Sequence, residues 1–329
     1  MSTKKRPNIE FPFTQPWFAT YHDACIGVIV KNNPTSDNWF FNKAVQIHVK
    51  PKVLFADSGF AAKINLYGCF NQAMPCLEQL WMQGRFLRNC VKDVIGLMLE
   101  QGYYVRFFGV DDYYIKGKSW YKERHFSHDG LICGVDNDTK EYIIAAYDSQ
   151  WVFRAFRTSQ AGFVRGYKAI LDKGGSSTIV AARCLDVPIE LNVPEIKAGL
   201  IAYLNAISEP NENDEVFGVA IIPYLVEYLN RLKTGEIPYE RIDKRIFRLV
   251  WEHKNCMLAR LKAVEAHCGL SDETSAAYAP IVKAADNIRF AYTKHCNKRS
   301  DALLDQIKDK LLEMTGKEVG VLQSFYGKV

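Results

Sequence analysis

The stretch HDGLICGVDNDTKEYIIAAYD, residues 128–148, decides the fold of this chain. Two apolar runs flank the polar residues 136–140, and turn-forming residues between runs of this kind predict a β-hairpin. If the turn is centred on Asp138, residues at equal distances from it face each other, and His128 lies opposite Asp148. Both runs are apolar on both faces, which is typical of strands in the middle of a sheet.

Other short runs of β-branched and aromatic residues extend this hairpin into a sheet. They lie at residues 103–110, 151–157 and 177–185. After about residue 190 the apolar residues recur with a helical period instead, which predicts helices near 194–208, 219–234, 239–267, 272–297 and 300–317. We therefore predict an α+β protein, with a central antiparallel sheet in residues 1–190 and a C-terminal helical region in residues 191–329 packed on it.

Residues suited to helix ends flank several of these helices. Asn192 and Ser271 carry side chains that can accept a hydrogen bond from a first-turn N–H group. Gly235 and Gly269 can adopt the left-handed conformation that commonly ends a helix. Their positions support the predicted helix boundaries.

Composition narrows the classes of protein that fit. With 48% apolar residues among 329, the chain can bury a full core. It shows neither a signal peptide nor an apolar run long enough to span a membrane, so we expect a cytoplasmic protein. The nine cysteines are odd in number and widely spread, which predicts reduced thiols and no metal site. A scattered net charge of +5 does not indicate nucleic-acid binding.

The His128–Asp148 pair is a candidate for acid–base chemistry. Directly opposed residues in an antiparallel pair have Cβ atoms about 4.5 to 5.5 Å apart, close enough for an imidazole N–H to meet a carboxylate. Such a carboxylate fixes the ring tautomer and stabilises the imidazolium. Two alternatives remain open: a structural pair that joins two strands, and a one-residue shift of the turn that separates the pair.

Cys25 is the candidate nucleophile. Asp23 can cap a helix that has Cys25 in its first turn, where the helix dipole and a nearby imidazolium favour the reactive thiolate. The following residues, IGVIV, are mostly β-branched and favour a strand, and a cysteine beside an apolar run is often a core residue. Cys69 is a second candidate nucleophile, although no capping residue precedes it.

The order of these residues resembles that of papain-like cysteine enzymes. A cysteine at a helix start is followed about a hundred residues later by a histidine that opens a strand and an aspartate that closes the next one. Residues 17–49, WFATYHDACIGVIVKNNPTSDNWFFNKAVQIHV, and the hairpin with Trp151 after it are similar to the family of the butirosin biosynthesis acyltransferase. A likeness to bacteriocin-processing peptidases is also present. The resemblance covers roughly residues 16–160 and implies a papain-like domain.

The resemblance also implies a role for each residue of the catalytic set. Cys25 would be the nucleophile, His128 the general base and acid, and Asp148 the residue that orients the histidine. Trp151 would shield the His–Asp pair from water, or simply pack in the core. His125 faces Trp151 in the predicted register, which suggests a packing or surface role.

The oxyanion donor is not evident from the resemblance. In this family it is usually a glutamine about six residues before the cysteine, but that position is Ala19 here. Gln15, His22 and the backbone N–H of Cys25 are the alternatives.

The family's chemistry sets the expected activity. The resemblance implies a biosynthetic acyltransferase, of the kind used in antibiotic biosynthesis, that forms an amide bond through a Cys25 acyl-enzyme. The acyl donor would be a thioester on the phosphopantetheine arm of an acyl or peptidyl carrier protein, the acceptor a small amine, and no separate cofactor would be needed. A cysteine peptidase or thioesterase uses the same acyl-enzyme, so these remain alternatives, as does a non-catalytic binding protein.

Overall fold

The computed structural model describes residues 6–19, 24–56, 63–66, 73–206 and 215–329. Its strands are β1 (Ile9–Glu10), β2 (Ile47–Val49), β3 (Ile64–Leu66), β4 (Leu77–Gln83), β5 (Tyr104–Asp111), β6 (Ser127–Asp136), β7 (Glu141–Tyr147), β8 (Phe153–Ser159), β9 (Thr178–Cys184) and β10 (Val216–Phe217). Its α-helices are α1 (Ala24–Val30), α2 (Ser36–Lys43), α3 (Pro51–Phe55), α4 (Gly84–Leu87), α5 (Val91–Glu100), α6 (Gln160–Asp172), α7 (Val193–Leu204), α8 (Ile221–Thr234), α9 (Ile246–Cys268), α10 (Glu273–Lys298) and α11 (Asp301–Tyr326).

The chain divides into two compact units. The sheet unit comprises Met1–Pro34 and Met74–Pro188, and the helical unit comprises Thr35–Ala73 and Ile189–Val329. The sequence predicted one boundary near residue 190 and assigned residues 35–73 to the first domain. The structure groups them with the C-terminal helices because α2 packs against α7 and α9 and β2 pairs with β10.

The sheet of the first unit is antiparallel throughout. Its strands follow the order β4-β9-β5-β6-β7-β8, and β1 pairs with the turn end of β6. The strands predicted from the sequence are β5, β6, β7, β8 and β9, and their membership of one antiparallel sheet is confirmed. The edge strand β4 was not predicted.

The hairpin of β6 and β7 contains a bulge that affects its register. Next to the turn, Asp136 pairs with Glu141, one residue away from the predicted alignment. The extra residue Cys133 then corrects the offset, so Leu131 pairs with Ala145 at the far end. The register predicted around Asp138 therefore holds at Ile132 and Leu131, where the pairing of β6 with β7 ends, and the predicted pairing of His128 with Asp148 stays a prediction.

Helices cover the two faces of this sheet. Cys25 and other residues of α1 pack with Leu131, Ile143 and Ala145 on one face. On the opposite face, apolar residues of α5 and α6 pack against Ile132 and other strand residues. The sequence did not predict α5 or α6. Buried aliphatic side chains of this kind each contribute about 1.5 to 3 kcal/mol relative to exposure.

The five helices predicted after residue 190 are confirmed as α7 to α11, although α11 extends to Tyr326. The Asn192 side chain accepts from the Glu195 N–H at 3.1 Å, whereas Asp272 occupies the N-cap of α10 in place of Ser271. Gly235 and Gly269 end α8 and α9 in left-handed conformations. No helix among the described residues has the length and apolar character that a membrane span requires.

Candidate active site

Cys25 is the second residue of α1, as the sequence predicted for a cysteine in a first helical turn. Only 6% of it is exposed, and it packs against the sheet with Ala24 and Leu131. The predicted cap Asp23, the oxyanion candidate His22 and the alternative nucleophile Cys69 lie outside the described residues.

His128 is the second residue of β6, and its side chain is one-third exposed. Its Nδ1 lies 3.1 Å from Asp112 Oδ2 and 3.1 Å from Lys118 Nζ. The ring also meets Phe126 edge-on, with centroids 5.5 Å apart. Within the described residues, the carboxylate at His128 is therefore Asp112, and Nε2 lies on the opposite side of the ring from these polar contacts.

The loop between β5 and β6 positions both polar partners of His128. After β5, a short 3₁₀ turn begins at Asp112, whose N–H donates to the carbonyl of Phe126 at 2.8 Å. This bond joins the start of the loop to its end and holds the Asp112 carboxylate next to β6. Lys118, from the same loop, reaches β6 as well: its Nζ donates to the carbonyl of Asp129 at 3.4 Å.

Lys118 is a buried cation next to the Asp112 carboxylate. Its side chain is 1% exposed, and Nζ lies 3.6 Å from Asp112 Oδ1. Burial lowers the pKa of Lys118, while the charges of Asp112, a Cys25 thiolate and Asp129 act in the opposite direction. The carboxylates of Asp112 and Asp129 thus support a charged Lys118 beside the ring of His128.

Two proton arrangements are available at His128. When Nδ1 carries a proton it donates to Asp112, and Nε2 is left as a basic acceptor. When Nδ1 is unprotonated it accepts from Lys118 instead. The buried negative charge of Asp112 favours the first arrangement, which is the one that general-base catalysis requires.

Asp148 makes a different set of contacts from those predicted. Its carboxylate accepts from the N–H groups of Gln150, at 2.8 Å, and Val152, at 3.0 Å, and it pairs with Arg154. Burial raises the pKa of Asp148, but these hydrogen bonds and the Arg154 charge outweigh it and leave the pKa below its usual value. In this arrangement Asp148 stabilises the turn between β7 and β8.

Two aromatic neighbours predicted from the register are also placed differently. Trp151 is 55% exposed and meets Trp120 edge-on, with ring centroids 6.3 Å apart. His125 does not face Trp151: its Nδ1 lies 2.7 Å from Asp111 Oδ2, and its ring stacks on Tyr113 at 4.5 Å. The reason is that residues 112–126 form a loop rather than a continuation of β6, so strand register does not apply to them.

Strand alternation puts His128 and Cys25 on different faces of the sheet. His128 pairs with Val110, and a side chain at Gly130, two residues further on, would meet Phe107 on the face that α5 and α6 cover. Cys25 packs with Leu131 on the other face. His128 is the second residue of its strand.

The candidate oxyanion donors that the structure describes differ in burial and in hydrogen bonding. Gln15 is exposed. Ala19 is buried, and its carbonyl accepts a hydrogen bond from the hydroxyl of Tyr147. The backbone N–H of Cys25 lies in the first turn of α1 and remains a candidate donor.

Sequence reasoning missed Asp112 and Lys118. A signal was present, because Asp111 and Asp112 follow an apolar strand directly, and polar residues at a strand end often belong to a site. The contact with His128 depends on how the loop folds back, and residue spacing does not encode that.

No family model and no curated protein matches this chain. Among the described residues, no group of three or more His, Cys, Asp or Glu side chains is arranged to hold a metal ion. The functional inference therefore depends on the residues of the site.

Proposed function

We propose that the chain is a cysteine-dependent acyltransferase that forms an amide from a carrier-bound thioester and a small amine. Cys25 attacks the thioester, and the carrier thiol leaves. The acyl-enzyme is then attacked by the amine, which releases the amide and regenerates Cys25. The proposal includes a papain-like fold for the sheet unit, with α1 as the helix that bears the nucleophile.

One observation carries this proposal: a histidine that is one-third exposed is held by a buried carboxylate in the unit that contains Cys25. Asp112 is 2% exposed, whereas His128 is one-third exposed. A base of this kind keeps Nε2 available to accept a proton from a thiol or from an attacking amine.

Lys118 supports the choice of a thiol nucleophile. A buried ammonium stabilises a negative charge nearby much more than a solvated one, because water screens it less. In the proposed reaction the Lys118 ammonium stabilises the Cys25 thiolate that attacks the thioester, and its 3.1 Å contact with His128 Nδ1 brings the same charge next to the base.

Acylation requires the Cys25 thiol and His128 to meet. In structures without substrate, catalytic hydrogen bonds are often long and tighten only in the substrate complex. The proposal therefore requires a rearrangement at the start of β6 that brings the His128 ring and the Cys25 thiol to one another when substrate binds. We assign the orienting role to Asp112 and retain Asp148 as the alternative.

The acceptor distinguishes the proposed reaction from hydrolysis. Water at about 55 M competes for the acyl-enzyme, so a transferase must bind its amine in line with the acyl carbon, where effective molarities can reach about 10⁵ M or more. A peptidase or thioesterase would release the free acid instead.

The first experiment measures acyl-enzyme formation by intact mass. The protein is incubated with a short acyl-pantetheine thioester, and Cys25→Ala is compared with Cys133→Ala. Both cysteines are buried on the same sheet face, and burial raises the pKa of Cys133, which makes it a matched unreactive control. We expect the adduct in wild type and Cys133→Ala but not in Cys25→Ala. An adduct on folded Cys25→Ala would refute the nucleophile.

The second experiment identifies the acceptor. The acylated enzyme is divided between buffer and buffer with a diamine, and amide and free acid are counted. Mostly amide supports transfer, and mostly free acid at saturating amine supports a hydrolase. Failure of all forms to acylate, with the donor shown to be intact, would favour a binding protein.

A further inference from the structure

Six exposed basic side chains lie together on the sheet unit. They come from the loop between β5 and β6 and from α6 with its C-cap, and we call them the basic loop surface: Lys116, Lys122, Arg124, His125, Arg165 and Lys173. The exposed acidic residues of the same two segments are Glu123 in the loop and Asp172 in the last turn of α6, and Asp172 already pairs with Arg88. The charge of this surface is therefore strongly positive, although the whole chain has a net charge of only +5.

Most of these charges are not neutralised by the protein. In the part of the chain that the structure describes, Lys116, Lys122, Arg124 and Arg165 form no ion pair, whereas cations elsewhere on this unit, such as Arg157, contact carboxylates. His125 and Lys173 share the single buried carboxylate of Asp111. A cluster of unpaired like charges costs stability through repulsion, so a partner that neutralises it gains binding energy.

Aromatic rings hold these cations in place. Lys122 Nζ lies 5.4 Å from the ring centroid of Tyr113, and the guanidinium of Arg124 lies 5.5 Å from that of Trp120. The guanidinium of Arg165 lies 5.9 Å from the ring of Tyr114. Cation–π contacts orient a charge without neutralising it, which leaves its positive field directed at solvent.

The basic loop surface is continuous with the candidate active site. Arg124 stands over Trp120, whose ring is 6.4 Å from that of Phe126, and Phe126 meets His128. The same loop supplies Asp112 and Lys118 to the histidine. A partner bound to this surface would therefore lie beside His128 and the loop that positions it.

We propose that the basic loop surface docks an acidic carrier protein and contacts the phosphate of its phosphopantetheine arm. This inference rests on the proposed acyltransferase function, because that function requires a thioester delivered on such an arm. Opposite charges on the two proteins accelerate their encounter and set its orientation. Docking is independent of the bond changes at Cys25, which are those of acyl transfer.

The test compares a docked donor with an undocked one. Transfer is measured with the acyl group on a phosphopantetheine-bearing carrier protein and on short pantetheine, in wild type, Lys122→Glu, Arg124→Glu and Lys92→Glu. Lys92 is a matched control: it is exposed, forms no ion pair among the described residues, and lies in α5 beside Asn137 at the turn end of β6.

We expect Lys122→Glu and Arg124→Glu to lower kcat/KM for the carrier-bound donor about three- to tenfold in low salt, with the loss shrinking at about 1 M salt. The short thioester should react equally well with all four proteins, and Lys92→Glu should behave as wild type with both donors. Equal losses in Lys92→Glu, or losses with the short thioester, would overturn the docking surface.

A binding measurement separates failure of the surface from failure of the proposed function. The unacylated carrier protein, with and without its arm, is titrated onto each enzyme variant and followed by fluorescence anisotropy. If Lys122→Glu and Arg124→Glu bind the carrier protein more weakly while Lys92→Glu binds it as wild type does, docking is supported even if no transfer occurs. Equal binding by all variants refutes it. Preferential binding of a single-stranded oligonucleotide at the same residues would reassign the surface to nucleic acid and also refute it.

Discussion

Replacement of Asp112 by asparagine tests the central contact of the candidate site. The amide of Asp112→Asn is nearly the same size as the carboxylate, but it lacks the charge that keeps the proton on His128 Nδ1. It can also donate a hydrogen bond to that nitrogen, which stabilises the unproductive tautomer. We expect the acylation rate to fall, with a smaller change in the KM for the thioester.

The size of the effect follows from the geometry. Asp112 makes a 3.1 Å contact with His128 in a buried position, and hydrogen bonds to charged groups contribute about 1.5 to 3 kcal/mol. A loss of about 1.4 kcal/mol corresponds to a factor of ten. Asp112→Asn should therefore acylate roughly ten- to a hundredfold more slowly, measured by intact mass in a single turnover.

The comparison variant is Asp148→Asn, since Asp148 is the residue that the sequence favoured. We expect it to lower the melting temperature through loss of its turn contacts, with little change in the acylation rate. Asp112→Asn leaves Lys118 as a buried cation without its partner, so circular dichroism must show that the variant is folded. The double variant Asp112→Asn/Lys118→Met removes the unpaired charge and its destabilising effect. A normal rate in Asp112→Asn with a large loss in Asp148→Asn would refute the structural assignment.

Three further predictions concern stability. The first concerns His253, which is fully buried, and burial holds its pKa well below the usual value. Unfolding therefore takes up a proton below about pH 6.5, and the free energy of unfolding should fall by up to about 1.4 kcal/mol for each unit of decreasing pH. In urea titrations at several pH values, His253→Gln should flatten this slope. The second concerns Glu318, which lies 2.8 Å from Lys254. Glu318→Gln should lower the free energy of unfolding by about 3 to 5 kcal/mol, because it leaves Lys254 as a buried unpaired charge. The double variant Glu318→Gln/Lys254→Met should recover much of this loss. Gly109→Ala should destabilise strongly in thermal melts, because its φ is +76° and a Cβ would lie 2.4 Å from the Ser176 carbonyl; an unchanged melting temperature would contradict this backbone geometry.

The strands and C-terminal helices were predictable because their signals are local. Alternation and turn chemistry identified the hairpin. The predicted register holds at Ile132 and Leu131 because one bulge at Cys133 offset a one-residue error at the turn. The helices α5 and α6 were missed. In α6, Gly162 and Gly166 weaken the helical signal, but side chains there would meet the backbone of Tyr114 and Asp111, so close packing requires them.

The candidate site was only partly predictable. Cys25 at a helix start and His128 at a strand start follow from sequence pattern, since both positions are set by neighbouring residues. The carboxylate partner depends on a loop that closes over many residues, and no periodicity specifies which of several aspartates it brings to the ring. The contacts of Asp148 with Val152 and Arg154 are short-range, and such local bonds compete with a longer-range partner.

The division of residues 35–73 from the sheet unit has a consequence for folding during synthesis. Strand β2 leaves the ribosome early, but its partner β10 follows roughly 170 residues later, which corresponds to a delay of about 10 to 30 seconds at typical translation rates. During that interval the buried aromatic residues of α2, among them Trp39 and Phe40, have no native surface to cover them. The nascent chain should therefore depend on chaperones at this stage, and pausing of translation before residue 216 should increase aggregation more than pausing after residue 326.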